Sequence, residues 1–295
     1  MVYLVALLPV VILVLFIYFV DRYQHEPWPQ ILKAVGAGVL SAIVTVLVLY
    51  KLDFQFEFGV GGAIADAFIN AAIPEEAAKL LMLWLVLRRN RHFDEYFDGV
   101  VYAVCVGMGF AGLENIFYLI DEEDMMAVGI ARGVFSIPAH FMFAVAMGYY
   151  YSLVHFRCHQ NNMVKYWNMA CVFVVPVLLH GSYDAFLMVM ETGMEDNFQL
   201  VGLCLIAFVG ICIFMGIFAF FKCRKLLRQD KAYFDYLAQQ QMAQYWQQQM
   251  TSPSAPAAQT TPASPTAVSP SVPPTAVSPS VPPTAVSPSA SPTAQ

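Results

Sequence analysis

Charge is scarce in this sequence. Only 12% of its 295 residues are Asp, Glu, Lys or Arg, while 59% are hydrophobic and the mean hydropathy is +0.59. That composition belongs to a polytopic membrane protein. No basic patch offers itself to nucleic acid, and the net charge of −6 says little because placement matters more than the sum. Cysteine pairing is missing too. Cys105, Cys158, Cys171, Cys204, Cys212 and Cys223 stand singly, with no CxxC and no Cys/His cluster, so neither a disulfide framework nor a thiolate metal site is expected. No HExxH is present. Residues 2–20 lack the basic n-region and the small-x-small cleavage site of a signal peptide, and are expected to be a retained helix.

Apolar runs are what the chain has in abundance. They fall at about 2–20, 31–50, 62–87, 99–119, 127–153, 167–190 and 198–221, each near the ~20 residues a helix needs to cross a bilayer. The expectation is an all-α polytopic bundle of about seven transmembrane helices over residues 1–221. Of the fifteen Lys and Arg, twelve lie at alternate connections: around Arg22 and Lys33, Arg88 to Arg91, Arg157 and Lys165, and Lys222 to Lys231. The other connections carry Asp53 and Glu57, the run Asp121 to Asp124, and Glu191, Glu195 and Asp196, with Lys51 their one basic residue. The positive-inside rule then places the amino terminus outside and the carboxyl terminus in the cytoplasm. Residues 222–250, polar and Gln-rich with Tyr233, Tyr236, Tyr245 and Trp246, are expected to form an amphipathic helix on the inner membrane face. Residues 251–295 repeat Pro-Thr-Ala-Val-Ser-Pro-Ser-Val-Pro from Pro265 and Pro274, and are too poor in large apolar groups to offset ordering entropy, so a disordered tail is expected.

Four spans nevertheless carry ionisable groups: Glu75, Glu76 and Lys79; Glu114 beside Asn115; His140; and His180 with Asp184. Such groups cost several kcal/mol in hydrocarbon unless they face protein or water, so their default reading is functional. Counted from the basic connections at 1.5 Å per residue, Glu75, Glu114, His140 and His180 all rise about 20–22 Å, which predicts one shared polar cavity in the outer half of the bilayer. His180 and Asp184 share a helix face at i,i+4, as do Glu75 and Lys79. Adjacent Glu75 and Glu76 point about 100° apart, so only one is expected to face the reacting centre. Pro74 just before them predicts a kink or a helix restart. Arg132 and Asp66 read as a structural ion pair or interface anchor. Gly107, Gly109 and Gly112 read as close-packing positions, and Tyr149-Tyr150-Tyr151 as an aromatic belt.

Each residue alone has a bland reading. Glu75–Lys79 could be a packing lock, Glu114-Asn115 an interhelical hydrogen-bonding site, and His140 a satisfied core histidine. Their joint depth favours chemistry. Carboxylates and imidazoles without a partnered Ser or Cys suggest direct attack by water, with a glutamate as base and a histidine or Asn115 stabilising the oxyanion. Zinc held by His140, His180 and a glutamate is chemically allowed, though without HExxH no cofactor is the first expectation. A non-catalytic scaffold built on the same network and a proton-coupled transporter are the alternatives; no internal repeat supports the latter.

The ordered motifs Glu75-Glu76-x-x-Lys79, Phe110-x-x-x-Glu114-Asn115, Arg132 with Pro138-x-His140, and His180-x-x-x-Asp184 resemble those of the PrsW family of intramembrane proteases, as does Asp21-Arg22-Tyr-Gln-His-Glu26-Pro27-Trp28. The likeness covers about residues 15–190. It implies a glutamic-type membrane protease distantly similar to the CAAX-processing and bacteriocin-processing enzymes and to the scaffold subunit of gamma-secretase. It further implies site-one cleavage of a single-pass anti-sigma factor on the extracytoplasmic side, in a stress response. The CAAX enzymes have histidine where Glu114 stands, so roles do not transfer directly.

Overall fold

The computed structural model describes residues 2–52, 54–120, 122–157, 161–193 and 197–251. Its elements are α1 (Val2–Val20), α2 (Trp28–Leu52), α3 (Val60–Asp66), a π-helical segment (Ala67–Ala72), α4 (Ile73–Leu87), α5 (Asp98–Leu119), α6 (Met125–Val134), α7 (Ser136–Phe156), α8 (Asn162–Gly193) and α9 (Phe198–Thr251). The fold is all-α, as expected, with six helices long and apolar enough to cross a membrane. The seventh expected span is the composite of α3, the π segment and α4. The chain divides into compact units over residues 1–246 and 247–295. The tail expected over 251–295 lies, beyond Thr251, outside the described residues.

At the centre of the first unit stands α5. It packs against α1, α2, α4, α6 and α7 and is buried on nearly every side, which explains its lack of amphipathic patterning. Close crossings need small residues. A Cβ on Gly109 would lie 2.1 Å from the Val35 carbonyl oxygen of α2, and one on Gly107 would lie 2.8 Å from Ala144 Cβ of α7. Large apolar side chains on α1, α2 and α9 face outward, among them Leu4, Phe16, Leu47, Leu203 and Phe220. In lipid these surfaces carry no penalty.

Pro74 stands in the first turn of α4 with Glu75 and Glu76, as a helix restart there requires. The turn before it is widened, with Ile73 N–H bonding Phe68 O five residues back. Two expectations need correction. Residues 222–250 are not a separate helix: α9 runs unbroken for 54 residues. Tyr149 is not belt material. It is 2% exposed and accepts a hydrogen bond from Lys225 Nζ at 3.0 Å. Three consecutive helical residues sweep about 200°, so one of them must face inward.

A second polar region lies at the basic end. The loops before α2 and α5 and the flank of α9 bring together Asp21, Glu26, Glu95, Asp98 and Asp230, all buried. Asp98 Oδ2 accepts from the Asp94 and Glu95 amides at 3.0 and 2.7 Å, and Asp230 from those of Tyr96 and Phe97 at 2.8 and 2.9 Å. These carboxylates hold the loop of residues 94–97 that leads into α5, near a helix end whose dipole favours negative charge. Tyr102 donates its hydroxyl to Glu26. Both oxygens of Asp21 and of Glu95 are buried without hydrogen-bond partners among the described residues. Burial first, and neighbouring carboxylates second, push Asp21 up to about 7 and Glu95 up to about 9. Burial raises Glu26 to about 8 against the lowering effect of the Tyr102 hydroxyl.

Candidate active site

The four polar spans do converge. Lys79 Nζ sits 3.2 Å from Glu75 Oε2, 2.9 Å from Glu76 Oε1 and 3.2 Å from His140 Nδ1. It also lies 3.8 Å above the Phe110 ring, a cation–π contact that no spacing rule signalled. His140 Nε2 reaches Glu114 Oε2 at 2.9 Å. His180 Nδ1 reaches Glu76 Oε1 at 3.0 Å, and its Nε2 lies 3.1 Å from Asp184 Oδ2 and 3.7 Å from Glu75 Oε2. Glu75, Glu76, Lys79, His140 and His180 are all buried. Residues from α4, α5, α7 and α8 thus form one network at one depth.

Local structure explains the convergence. The π segment and α8 meet closely: a Cβ on Gly181 would lie 2.4 Å from the Phe68 ring, so only glycine lets α8 approach there and carry His180 to α4. Phe143 stacks on the His180 ring at 4.7 Å, fixing its plane. Pro176 lies inside α8 one turn before His180 and withholds the N–H that Val172 O would otherwise receive.

Both glutamates face the centre, contrary to the expectation of one. Lys79 is i+4 from Glu75 and i+3 from Glu76 and gathers both carboxylates, while His180 closes on them from α8. Arg132 also departs from its expected role. It does not pair with Asp66, whose Oδ1 accepts from Asn70 Nδ2 at 2.7 Å. Arg132 Nη2 donates to Glu114 Oε2 and its Nε to Asn115 Oδ1, both at 2.9 Å, with the guanidinium 3.6 Å above Tyr118. Asn115 Nδ2 donates to Ala6 O at 2.9 Å, so this amide joins α1, α5 and α6. It supports the cavity wall, with one of its two Nδ2 hydrogens spent on Ala6 O.

Hydrogen-bond chemistry assigns the protons. Lys79 has only donors, so His140 Nδ1 must accept from it, leaving Nε2–H to donate to Glu114: a neutral imidazole. His180 faces a carboxylate from each nitrogen, the arrangement that suits an imidazolium. Glu114, Asp184 and Arg132 are the most accessible members, with side chains 16%, 20% and 18% exposed. The exposed edge of the network is therefore formed by side chains of α5, α6 and α8.

A sequence model described as "PrsW family intramembrane metalloprotease" matches residues 26–217. The chain belongs to the PrsW family of intramembrane proteases. It is 38% identical over 190 residues to Protease PrsW of Clostridioides difficile (strain 630), a stretch covering 63% of this chain and 79% of that relative. It is 34% identical over 183 residues to Protease PrsW of Geobacillus kaustophilus (strain HTA426), covering 62% and 78%. To Protease PrsW of Bacillus subtilis (strain 168) it is 34% identical over 176 residues, covering 60% and 78%. No solved structure matches. The PrsW match encloses all four motif-bearing spans and ends within α9, before the polar segment from residue 222.

The metal implied by the family description can be tested against these residues. Glu75, His140 and His180 present ligand atoms within 4.8 Å of one another, all buried. Two histidines and a glutamate are a donor set of catalytic zinc. Glu114 and Glu76 stand on the second nitrogens of His140 and His180, as carboxylates that orient metal-binding imidazoles do. The residues fit. Lys79 Nζ already places one positive charge on Glu75 and His140.

Proposed function

We propose that this PrsW protein hydrolyses a peptide bond of a single-pass membrane protein, at the end of the bundle that faces away from the cytoplasm, with Glu75 activating the attacking water. What carries the reading is the asymmetry of the paired glutamates. Glu76 is fully buried, and its Oε1 is shared by Lys79 and His180. Glu75 is the more accessible of the two, and the close contacts it makes to Lys79 and His180 fall on Oε2. Glu75 takes the water proton as the water oxygen attacks the scissile carbonyl carbon. The Lys79 ammonium, its three N–H groups held by Glu75, Glu76 and His140, contributes fixed positive charge where the carbonyl oxygen turns negative. His180, held as imidazolium by Asp184 and Glu76, gives a proton to the leaving amine. His140 keeps Lys79 and Glu114 in place.

Charge distribution supports the side of attack. The accessible edge of the network points toward the connections rich in Asp and Glu, which the positive-inside rule places outside. An anti-sigma factor cut at its outer flank is the substrate that the family likeness suggests. Purified protein in proteoliposomes with a tagged single-pass substrate tests this. Cleavage mapped by mass spectrometry to the substrate's outer juxtamembrane segment is expected. An uncut substrate that stays bound would instead mark a scaffold.

A second reading rests on the Glu75, His140 and His180 set. Those residues would hold a zinc ion, which when bound supplies Lewis acidity to water and carbonyl. Glu75 would then be a ligand, and Glu76 and Glu114 would orient the two imidazoles. Sensitivity of the cleavage assay to o-phenanthroline separates the two.

A further inference from the structure

Below the active site, toward the basic end, α4 and α8 part. α4 leans chiefly on α2 and α8 chiefly on α7, and the gap between them is a cavity of about 840 Å³ floored by α7. Ala77, Leu81 and Trp84 line one wall, Tyr151 and Val154 the floor, and Phe173 the other wall. Leu81 and Trp84 are 47% and 46% exposed, so the groove opens sideways toward lipid. Its upper end, at Ala77, lies one residue from Glu76. Its lower end carries Lys165 and His155. Arg88 lies at the same end, its guanidinium 5.0 Å from the Trp84 ring. Among the described residues Lys165 has no ion pair.

We propose that this groove binds an anionic phospholipid, with an acyl chain against Leu81 and Phe173 and the phosphate on Lys165. An apolar crevice of this size in a bilayer is not left empty or filled with water, because its walls offer water too few polar partners. Basic pockets between transmembrane helices recognise acidic headgroups. The charge excludes the obvious rival. A substrate helix carries its own basic residues at this end, by the same rule that orients this chain, and would meet Lys165 and Arg88 with like charge. An anionic headgroup meets them with opposite charge. The lipid then holds α4 and α8 at their present separation directly beneath the glutamates.

The full chain, reconstituted in nanodiscs of equal phosphatidylglycerol and phosphatidylcholine and released for native mass spectrometry, tests this. One retained lipid is expected, with phosphatidylglycerol favoured about fivefold, the value of one lysine at the headgroup level. Lys165→Gln should lower the ratio severalfold, to what Arg88 alone supports, and Lys165→Arg should keep it. Leu81→Trp, which fills the groove, should lower retention of both lipids. Parity in the unaltered protein, or an unchanged preference in Lys165→Gln, overturns the proposal. So does a photo-crosslinking residue at position 84 that labels a single-pass reporter helix in place of lipid.

Discussion

Replacing Lys79 by Met removes the one cation shared by Glu75, Glu76 and His140 while keeping the apolar stem over Phe110. With an effective dielectric near 20, each contact at ~3 Å is worth about 5 kcal/mol before desolvation is counted. Desolvation of the ammonium offsets most of that, so the net cost is better taken from broken buried pairs, about 3–5 kcal/mol. The two carboxylates would then share a buried site with His180 as their sole cation. Reversible unfolding in mixed micelles measures the loss. A double-mutant cycle with Glu76→Gln adds the decisive term: the double variant should be less destabilised than the sum of the singles by about 1–3 kcal/mol, because the second change removes a charge that the first leaves unpaired. A Lys79→Met protein within 1 kcal/mol of the parent, or strict additivity in the cycle, would refute the idea that Lys79 holds the site together.

Asp184→Asn keeps its size but no longer accepts as an anion from His180, and turnover should fall about 10–100-fold with little change in substrate affinity; an unchanged rate would remove Asp184 from the orienting role. Addition of o-phenanthroline to the proteoliposome assay should leave cleavage intact if Glu75 acts as base, whereas loss that zinc restores would make Glu75 a ligand. The acidic region at the basic end has its own signature. Asp21 and Glu95 have folded-state values raised to about 7 and about 9, so their contribution to stability is complete below pH 4 and is lost as pH rises through those values. Thermal unfolding should therefore move to lower temperature between pH 4 and pH 9, and Asp21→Asn with Glu95→Gln should lessen that dependence, Glu26 keeping part of it; a flat profile in the parent chain would contradict it.

Helix positions were legible because hydrocarbon thickness dictates run length, and the shared depth of Glu75, Glu114, His140 and His180 followed from rise per residue alone. What the sequence hid were properties of neighbours. The π turn before Pro74 packs through Phe68 on Gly181 of α8, a neighbour that local sequence does not announce. Arg132 reads with Asp66 as an ion pair or interface anchor because depth along one helix says nothing of which neighbour it faces; its partners, Glu114 and Asn115, lie on α5. The acidic region could have been seen. Asp94, Glu95 and Asp98 interrupt a connection otherwise marked by Arg88, Arg89 and Arg91, and a carboxylate run in a basic loop is a departure from the pattern that orients the chain.

The measurement that bears most directly on the site is cleavage of a single-pass substrate by the Glu75→Gln protein in proteoliposomes, beside the unaltered protein. Loss of general-base catalysis should lower turnover by about 10²–10⁴-fold, with insertion and unfolding temperature close to the parent. His180→Ala should fall alongside it. Glu75→Gln cleaving at the parental rate would contradict the assignment of Glu75 and leave the buried network a structural one.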